Sequence, residues 1–178
     1  MDPEIENFPL PVLGVVAYSG TGKTTLLTRL IPVLADTGVR VAVVKHSHHD
    51  FEIDKPGKDS HRVREAGARS VLIASPYRAA LVTEGDRRTE PELPVLLRML
   101  PAQEIDLVLA EGYRTLEFAK IEVHRPALGV PPLYPEDDNI IAVAADAPLA
   151  IPVHRPVLPL DSPDEIALFV RNWMTTQE

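Results

Sequence analysis

The sequence predicts an α/β fold: a mostly parallel sheet flanked by helices, with a β-hairpin extension at one edge. Three observations carry this expectation. Short, almost wholly apolar runs recur at 11–17 (PVLGVVA), 105–112 (IDLVLAEG) and 140–146 (IIAVAAD), as expected of strands buried on both faces. Segments with helical spacing separate such runs, and that alternation favours a parallel sheet. A glycine-containing turn joins the first apolar run directly to the first helical segment.

In chain order, residues 1–10 read as an N-terminal tail and 11–178 as a single domain. After the first strand and the turn YSGTGKTT, Leu26, Leu27, Leu30, Ile31 and Leu34 recur at helical spacing. Pro32 inside that pattern predicts a kink or a tight end to its first half. Gly38 occupies the position just past the helix where a left-handed residue is needed. VRVAVVKH at 39–46 is a second strand. Asp59 or Ser60 is a candidate cap for a short helix through Ala66. SVLIAS (Ser70–Ser75) and AALVT (Ala79–Thr83) read as two strands of an edge hairpin. PELPVLLRML is a helix with Pro91 near its start. AKIEVHR (Ala119–Arg125) alternates weakly, and IIAVAAD is the last core strand. Ser162-Pro163-Asp164-Glu165 has the form of a capping box with proline at the first helical position, opening a helix through Met174.

Composition narrows the function. The chain has 178 residues, 45% of them apolar and 25% charged, which fits an ordinary globular protein. A net charge of −8 makes it a poor general binder of nucleic acid, because phosphate neutralisation needs clustered cations. It has no cysteine, hence no disulfide, thiolate metal site or cysteine nucleophile. No apolar run approaches the ~18 residues that a membrane span needs. The first ten residues are acidic and hold two prolines, unlike a signal peptide. A soluble cytoplasmic protein is the expectation. Nine of the 18 prolines lie from Pro126 to Pro163, so that stretch is loops and short strands rather than a helix.

The chemistry concentrates in Ala17-Tyr18-Ser19-Gly20-Thr21-Gly22-Lys23-Thr24-Thr25. This matches the phosphate-binding loop pattern, with Ala17 in place of the first glycine. Gly20 and Gly22 let the backbone curl so that successive amides face one anion, and the following helix adds its positive end. Lys23 reaches the β- and γ-phosphates of a nucleotide, and the Thr24 hydroxyl is a Mg²⁺ ligand. Glu111 ends the strand LVLAE at the carboxyl edge, where ligands of open α/β sheets sit. It either serves magnesium or caps a nearby loop. Arg114 either clamps a phosphate or pairs with Glu117.

A second polar block follows the second strand. His46, His48, His49 and Asp50 read either as a polar rim, the reading favoured here, or as a transition-metal site. Asp54, Lys55, Lys58 and Asp59 form either a switch-type loop contacting the γ-phosphate or magnesium, or a solvated turn. For base selection, a carboxylate accepts the ring N–H and amine of guanine together. The Asn-Lys-x-Asp motif is absent, and Asp146, at the end of IIAVAAD, is the best substitute; a plain loop aspartate is the alternative.

Taken together, AYSGTGKTTLL, KHSHHDFEIDKPGKDS, LVLAEGYR with AKIEV, and IIAVAAD resemble the molybdopterin-guanine dinucleotide biosynthesis protein B family from about Pro11 to Met174. The KHSHHD and DKPGKDS blocks are the specific part. The resemblance implies a P-loop NTPase-like fold with a β-extension, GTP and Mg²⁺ as ligands, slow GTPase activity and a homodimer. It implies an accessory role beside the guanylyltransferase that attaches GMP to molybdopterin, with molybdopterin or molybdoenzyme chaperones as further partners. It carries Gly20, Gly22, Lys23 and Thr24 over as nucleotide-binding positions and Glu111 as the acid of the Walker B-like strand. No Arg finger or Gln follows that strand, in keeping with low turnover. Two alternatives from other classes are a small-molecule kinase, with Arg62, Arg64 and Arg69 as lid candidates, and a metallochaperone using His46, His48 and His49.

Overall fold

The computed structural model describes residues 2–47, 51–85 and 89–177. These fall into two compact units, one made of 1–46 with 92–178 and the other of 47–91. The elements in chain order are α1 (Pro3–Glu6), β1 (Val12–Val16), α2 (Lys23–Asp36), β2 (Val41–Lys45), α3 (Asp59–Glu65), β3 (Ser70–Ser75) and β4 (Arg78–Thr83). They continue with α4 (Leu93–Leu97), β5 (Leu107–Glu111), β6 (Lys120–His124), β7 (Ile140–Ala145), β8 (Val157–Pro159) and α5 (Pro163–Met174).

Six strands of the larger unit form one parallel sheet in the order β2-β5-β1-β6-β7-β8. The chain leaves β1 toward β2 on one side and later extends through β6, β7 and β8 on the other. The carboxyl end of β1 is therefore the switch point where open α/β sheets bind ligands. Alternation splits the core between the two sheet faces. Leu13, Val15, Leu107, Leu109, Ile121 and Val123 pack with the buried stripes of α2 and α5. Val12, Val108 and Ala110 pack on the other face with Ile5, Leu93 and Leu97.

Some local expectations hold and others are corrected. Within residues 1–10, Asp2 caps α1 through a 3.0 Å bond from the Glu4 amide, and Ile5 is buried. Helix α2 continues past Pro32 to Asp36, so proline does not end it. It closes on Gly38 at φ 87°, with Gly38 N–H donating to the Ala35 carbonyl and Val39 N–H to that of Leu34, a Schellman closure. Neither Asp59 nor Ser60 caps α3; Lys58 precedes it without a side-chain bond. Ser162 precedes α5 but makes no capping bond, because its backbone departs from the extended cap geometry. The hairpin β3–β4 forms a separate two-stranded sheet in the smaller unit. Strand β8, three residues long and ending in Pro159, is a short strand of the proline-rich stretch.

Strand β6 differs most from its sequence reading. All five of its residues are buried, including Lys120, Glu122 and His124. Buried charges need partners, and loop residues on either side of the strand supply them. The Lys120 ammonium pairs with Asp137 and donates to the carbonyls of Arg114 at 3.1 Å and Leu116 at 2.7 Å. Glu122 accepts from the amides of Leu133 at 2.9 Å and Tyr134 at 2.8 Å. Burial still pushes the Glu122 carboxyl above the usual range, against those two bonds. Gly14 makes room for Lys120: a Cβ there would collide with Lys120 Cγ. Among the described residues, no helix is long and apolar enough to cross a membrane.

Candidate phosphate-loop site

Residues 17–22 link β1 to α2 with no intervening element. Gly20 has φ 79° and Gly22 φ 101°, the left-handed conformations expected of glycines in a curled anion loop. Gly22 also precedes the first residue of α2 and accepts the Leu26 amide at 2.9 Å. The loop is braced from within by buried Thr21, whose hydroxyl donates to the Tyr18 carbonyl at 2.8 Å. Ser19, Thr24 and Thr25 are exposed, as residues serving an incoming ligand require.

Lys23 folds back over the loop and donates to the carbonyls of Ala17 at 3.0 Å and Tyr18 at 3.1 Å. Burial holds its ammonium below the usual lysine range; Glu111 opposes this, while Lys45 and Arg114 add repulsion. Those four side chains therefore share one electrostatic neighbourhood. Pairing explains the convergence: Glu111 on β5 is in register with Val15 on β1 and with Lys45 on β2. The buried Glu111 carboxylate lies 3.6 Å from Lys45 Nζ. The Arg114 guanidinium stacks over the Tyr18 ring at 5.1 Å, a cation–π contact. His46 donates its backbone N–H to the Glu111 carbonyl at 3.0 Å and stacks on Tyr113 with ring centroids 5.3 Å apart.

Hard oxygen donors suit Mg²⁺, which usually takes one or two protein oxygens and fills its shell with phosphate and water. The Thr24 hydroxyl and Glu111 carboxylate are of that kind. Among the described residues there is no cluster of three or more His, Cys, Asp or Glu able to hold a metal. Residues His48, His49 and Asp50 lie outside the described residues.

The second block divides between the two units. His46 belongs to the larger unit, and Asp54, Lys55, Lys58 and Asp59 to the smaller. Lys55, Lys58 and Asp59 are exposed. Asp54 instead pairs with Arg64 at 3.0 Å, its side chain only 4% exposed. Burial would raise the Asp54 carboxyl, but the Arg64 hydrogen bond and other local donors bring it below its usual range. Arg64 also holds Glu84 at 2.9 Å, so it is engaged inside its own unit.

The structure adds Arg125, which the sequence reading passed over. It follows β6, as Asp146 follows β7, and these strands are neighbours. Arg125 donates through Nε to the Thr21 carbonyl at 2.9 Å and through Nη1 to the Asp146 carboxylate at 2.5 Å. No sequence motif marks it; the strand order alone brings it beside the loop.

Comparison with known proteins agrees with this architecture. The family model described as "Molybdopterin guanine dinucleotide synthesis protein B" matches residues 12–146. The chain is 43% identical over 169 residues to a molybdopterin-guanine dinucleotide biosynthesis adapter protein of Escherichia coli K12, covering 94% of this chain and 95% of that one. It is 41% identical to a protein of the same description from Haemophilus influenzae, with 94% and 92% covered. A crystal structure of molybdopterin-guanine biosynthesis protein B superposes with a TM-score of 0.73 at 28% identity, covering 92% of this chain and 99% of that one. The MobB homologue of Bacillus stearothermophilus gives a TM-score of 0.68 at 27% identity, with 93% and 98% covered. The phosphate loop on a parallel sheet, the matched segment and these relatives converge on one assignment: the chain belongs to the molybdopterin-guanine dinucleotide synthesis protein B family.

Proposed function

We propose that this protein is a GTP-binding adapter in molybdopterin-guanine dinucleotide biosynthesis that assists the guanylyltransferase and hydrolyses GTP slowly. The observation that carries the reading is the curled loop from β1 to α2, with Lys23 over it and Glu111 in register beside it. In this reading Ser19 to Thr25 wrap the phosphates, Lys23 neutralises their charge, and Thr24 and Glu111 hold Mg²⁺ directly or through water. Bound Mg²⁺ would neutralise charge on the phosphate oxygens. Asp146 is the proposed acceptor for guanine. Residues 11–178 act as one functional domain. Lys55, Lys58 and Asp59, exposed in the smaller unit, and separately His46 with His48, His49 and Asp50, are the proposed switch or partner residues.

Adapter relatives support a partner protein, and the guanylyltransferase is the one proposed; molybdopterin or a molybdoenzyme chaperone is a further candidate. Homodimerisation through the hairpin belongs to the same reading. Leu72 and Leu81 are cross-strand partners there, 69% and 51% exposed in the single chain. The cytoplasm is the proposed location. Calorimetric titration with GTP and with ATP, each with Mg²⁺, tests the nucleotide assignment: tighter binding of GTP is expected, and equal affinity contradicts it.

A further inference from the structure

We propose that Arg125 positions the phosphate loop by fixing the peptide between Thr21 and Gly22, with Asp146 holding the guanidinium in place. The inference rests on the reading that this loop binds phosphates, and it concerns how the loop is kept ready to do so. Anion loops work only when their amides face inward. Glycine permits both orientations of an adjoining peptide, because it lacks the Cβ that forbids positive φ. Gly22 sits at φ 101°, so its own sequence does not settle which way the peptide turns.

Arg125 settles it. The Thr21 carbonyl accepts Nε of Arg125 at 2.9 Å. The chain has no cis peptide bond among the described residues, and across a trans peptide the carbonyl and N–H point in opposite directions. Holding the Thr21 carbonyl toward Arg125 therefore directs the Gly22 N–H away from the guanidinium. The guanidinium packs against Gly22 without clashing: a Cβ there would meet Nε and Nη2 at 3.7 Å. Asp146 takes the Nη1 of the same guanidinium, a charge-assisted bond that fixes the fork. Thr21 is buried and tied through its hydroxyl to Tyr18, so the peptide is gripped on both sides. Asp146 thus acts on phosphate binding through Arg125, whatever base the nucleotide carries.

Tripolyphosphate, which has no base, separates this role from base reading. Binding of tripolyphosphate and of GTP, each with Mg²⁺, is measured for the unmodified chain and for Lys23→Ala, Arg125→Ala, Arg125→Lys, Asp146→Asn and the Arg125→Ala/Asp146→Asn pair. Arg125→Ala is expected to weaken both ligands by the same factor of about ten, the size of one charge-assisted bond. Arg125→Lys, which keeps one donor, should recover part of that loss. For tripolyphosphate, the pair should be no weaker than Arg125→Ala alone, since both changes cut one chain of contacts. The Gly22 amide proton should shift downfield with tripolyphosphate in the unmodified chain and less in Arg125→Lys, an effect that general destabilisation does not produce. Tripolyphosphate affinity within about twofold in Arg125→Ala overturns the proposal. A loss for GTP alone in Asp146→Asn overturns the link through Asp146. Binding that survives Lys23→Ala, or no binding by the unmodified chain, removes the phosphate-loop reading and this inference with it.

Discussion

Glu111 and Lys45 stand in register on adjacent parallel strands, and their charged ends lie 3.6 Å apart at the carboxyl edge of the sheet. The carboxylate is buried while the ammonium is 57% exposed. The pair sets a cation beside the carboxylate proposed as a magnesium ligand.

Glu111→Gln should therefore remove the Mg²⁺-dependent part of GTP affinity and leave the Mg²⁺-independent part nearly unchanged. Titration with GTP in Mg²⁺ and in EDTA measures both. Lys45→Met should cost about 0.5 kcal/mol of stability, as expected for a pair with one solvated partner.

Gly14 is a packing position. Gly14→Ala drives a methyl group into the Lys120 side chain and the ring of Phe118. Overpacking of this kind should destabilise by about 2 kcal/mol or more, read as a lower urea midpoint with an unchanged slope.

Lys120→Met should be more severe, by roughly 3–5 kcal/mol, because it leaves Asp137 and two backbone carbonyls without their shared cation. Lys120→Met/Asp137→Asn should recover part of that loss. Urea denaturation of the two variants checks both statements.

Asp106 immediately precedes β5 and accepts three hydrogen bonds from Arg40, two from its guanidinium and one from its backbone. They hold the Asp106 carboxyl at about 2, below its ordinary 3.8. A carboxyl lowered by folding stabilises the fold above its unfolded pKa and loses that contribution as pH falls through the folded value. The stability gap between the unmodified chain and Asp106→Asn should be full at pH 6 and shrink between about pH 4 and pH 2. Thermal midpoints across that range test it; a gap that widens on acidification contradicts it.

The loop and most of the sheet were legible in the sequence because their signals are local. A run such as LVLAE is apolar throughout because it is buried on both faces, and the glycines and Lys23 fall within a few residues of one another. Strand β6 was not legible in this way. Lys120 and Glu122 look solvated in the sequence, yet Asp137 and the amides of Leu133 and Tyr134 satisfy them from more than ten residues away. Arg125 was hidden for the same reason, since its role depends on β6 lying between β1 and β7. The caps misled in the opposite sense: Ser162 and Asp59 have the right side chains, but the Ser162 backbone is not in cap geometry and Asp59 already lies inside the first turn. Asp54 reads in the sequence as part of a switch-type loop or of a solvated turn, and its pair with Arg64 depends on the fold of the residues between them.

The most direct test of the central claim is the affinity of Lys23→Ala for GTP with Mg²⁺, measured by calorimetry beside the unmodified chain. If the loop holds the phosphates, loss of the ammonium should weaken binding by roughly 10- to 100-fold while the thermal midpoint stays close to that of the unmodified chain. GTP binding unchanged in Lys23→Ala would contradict the account.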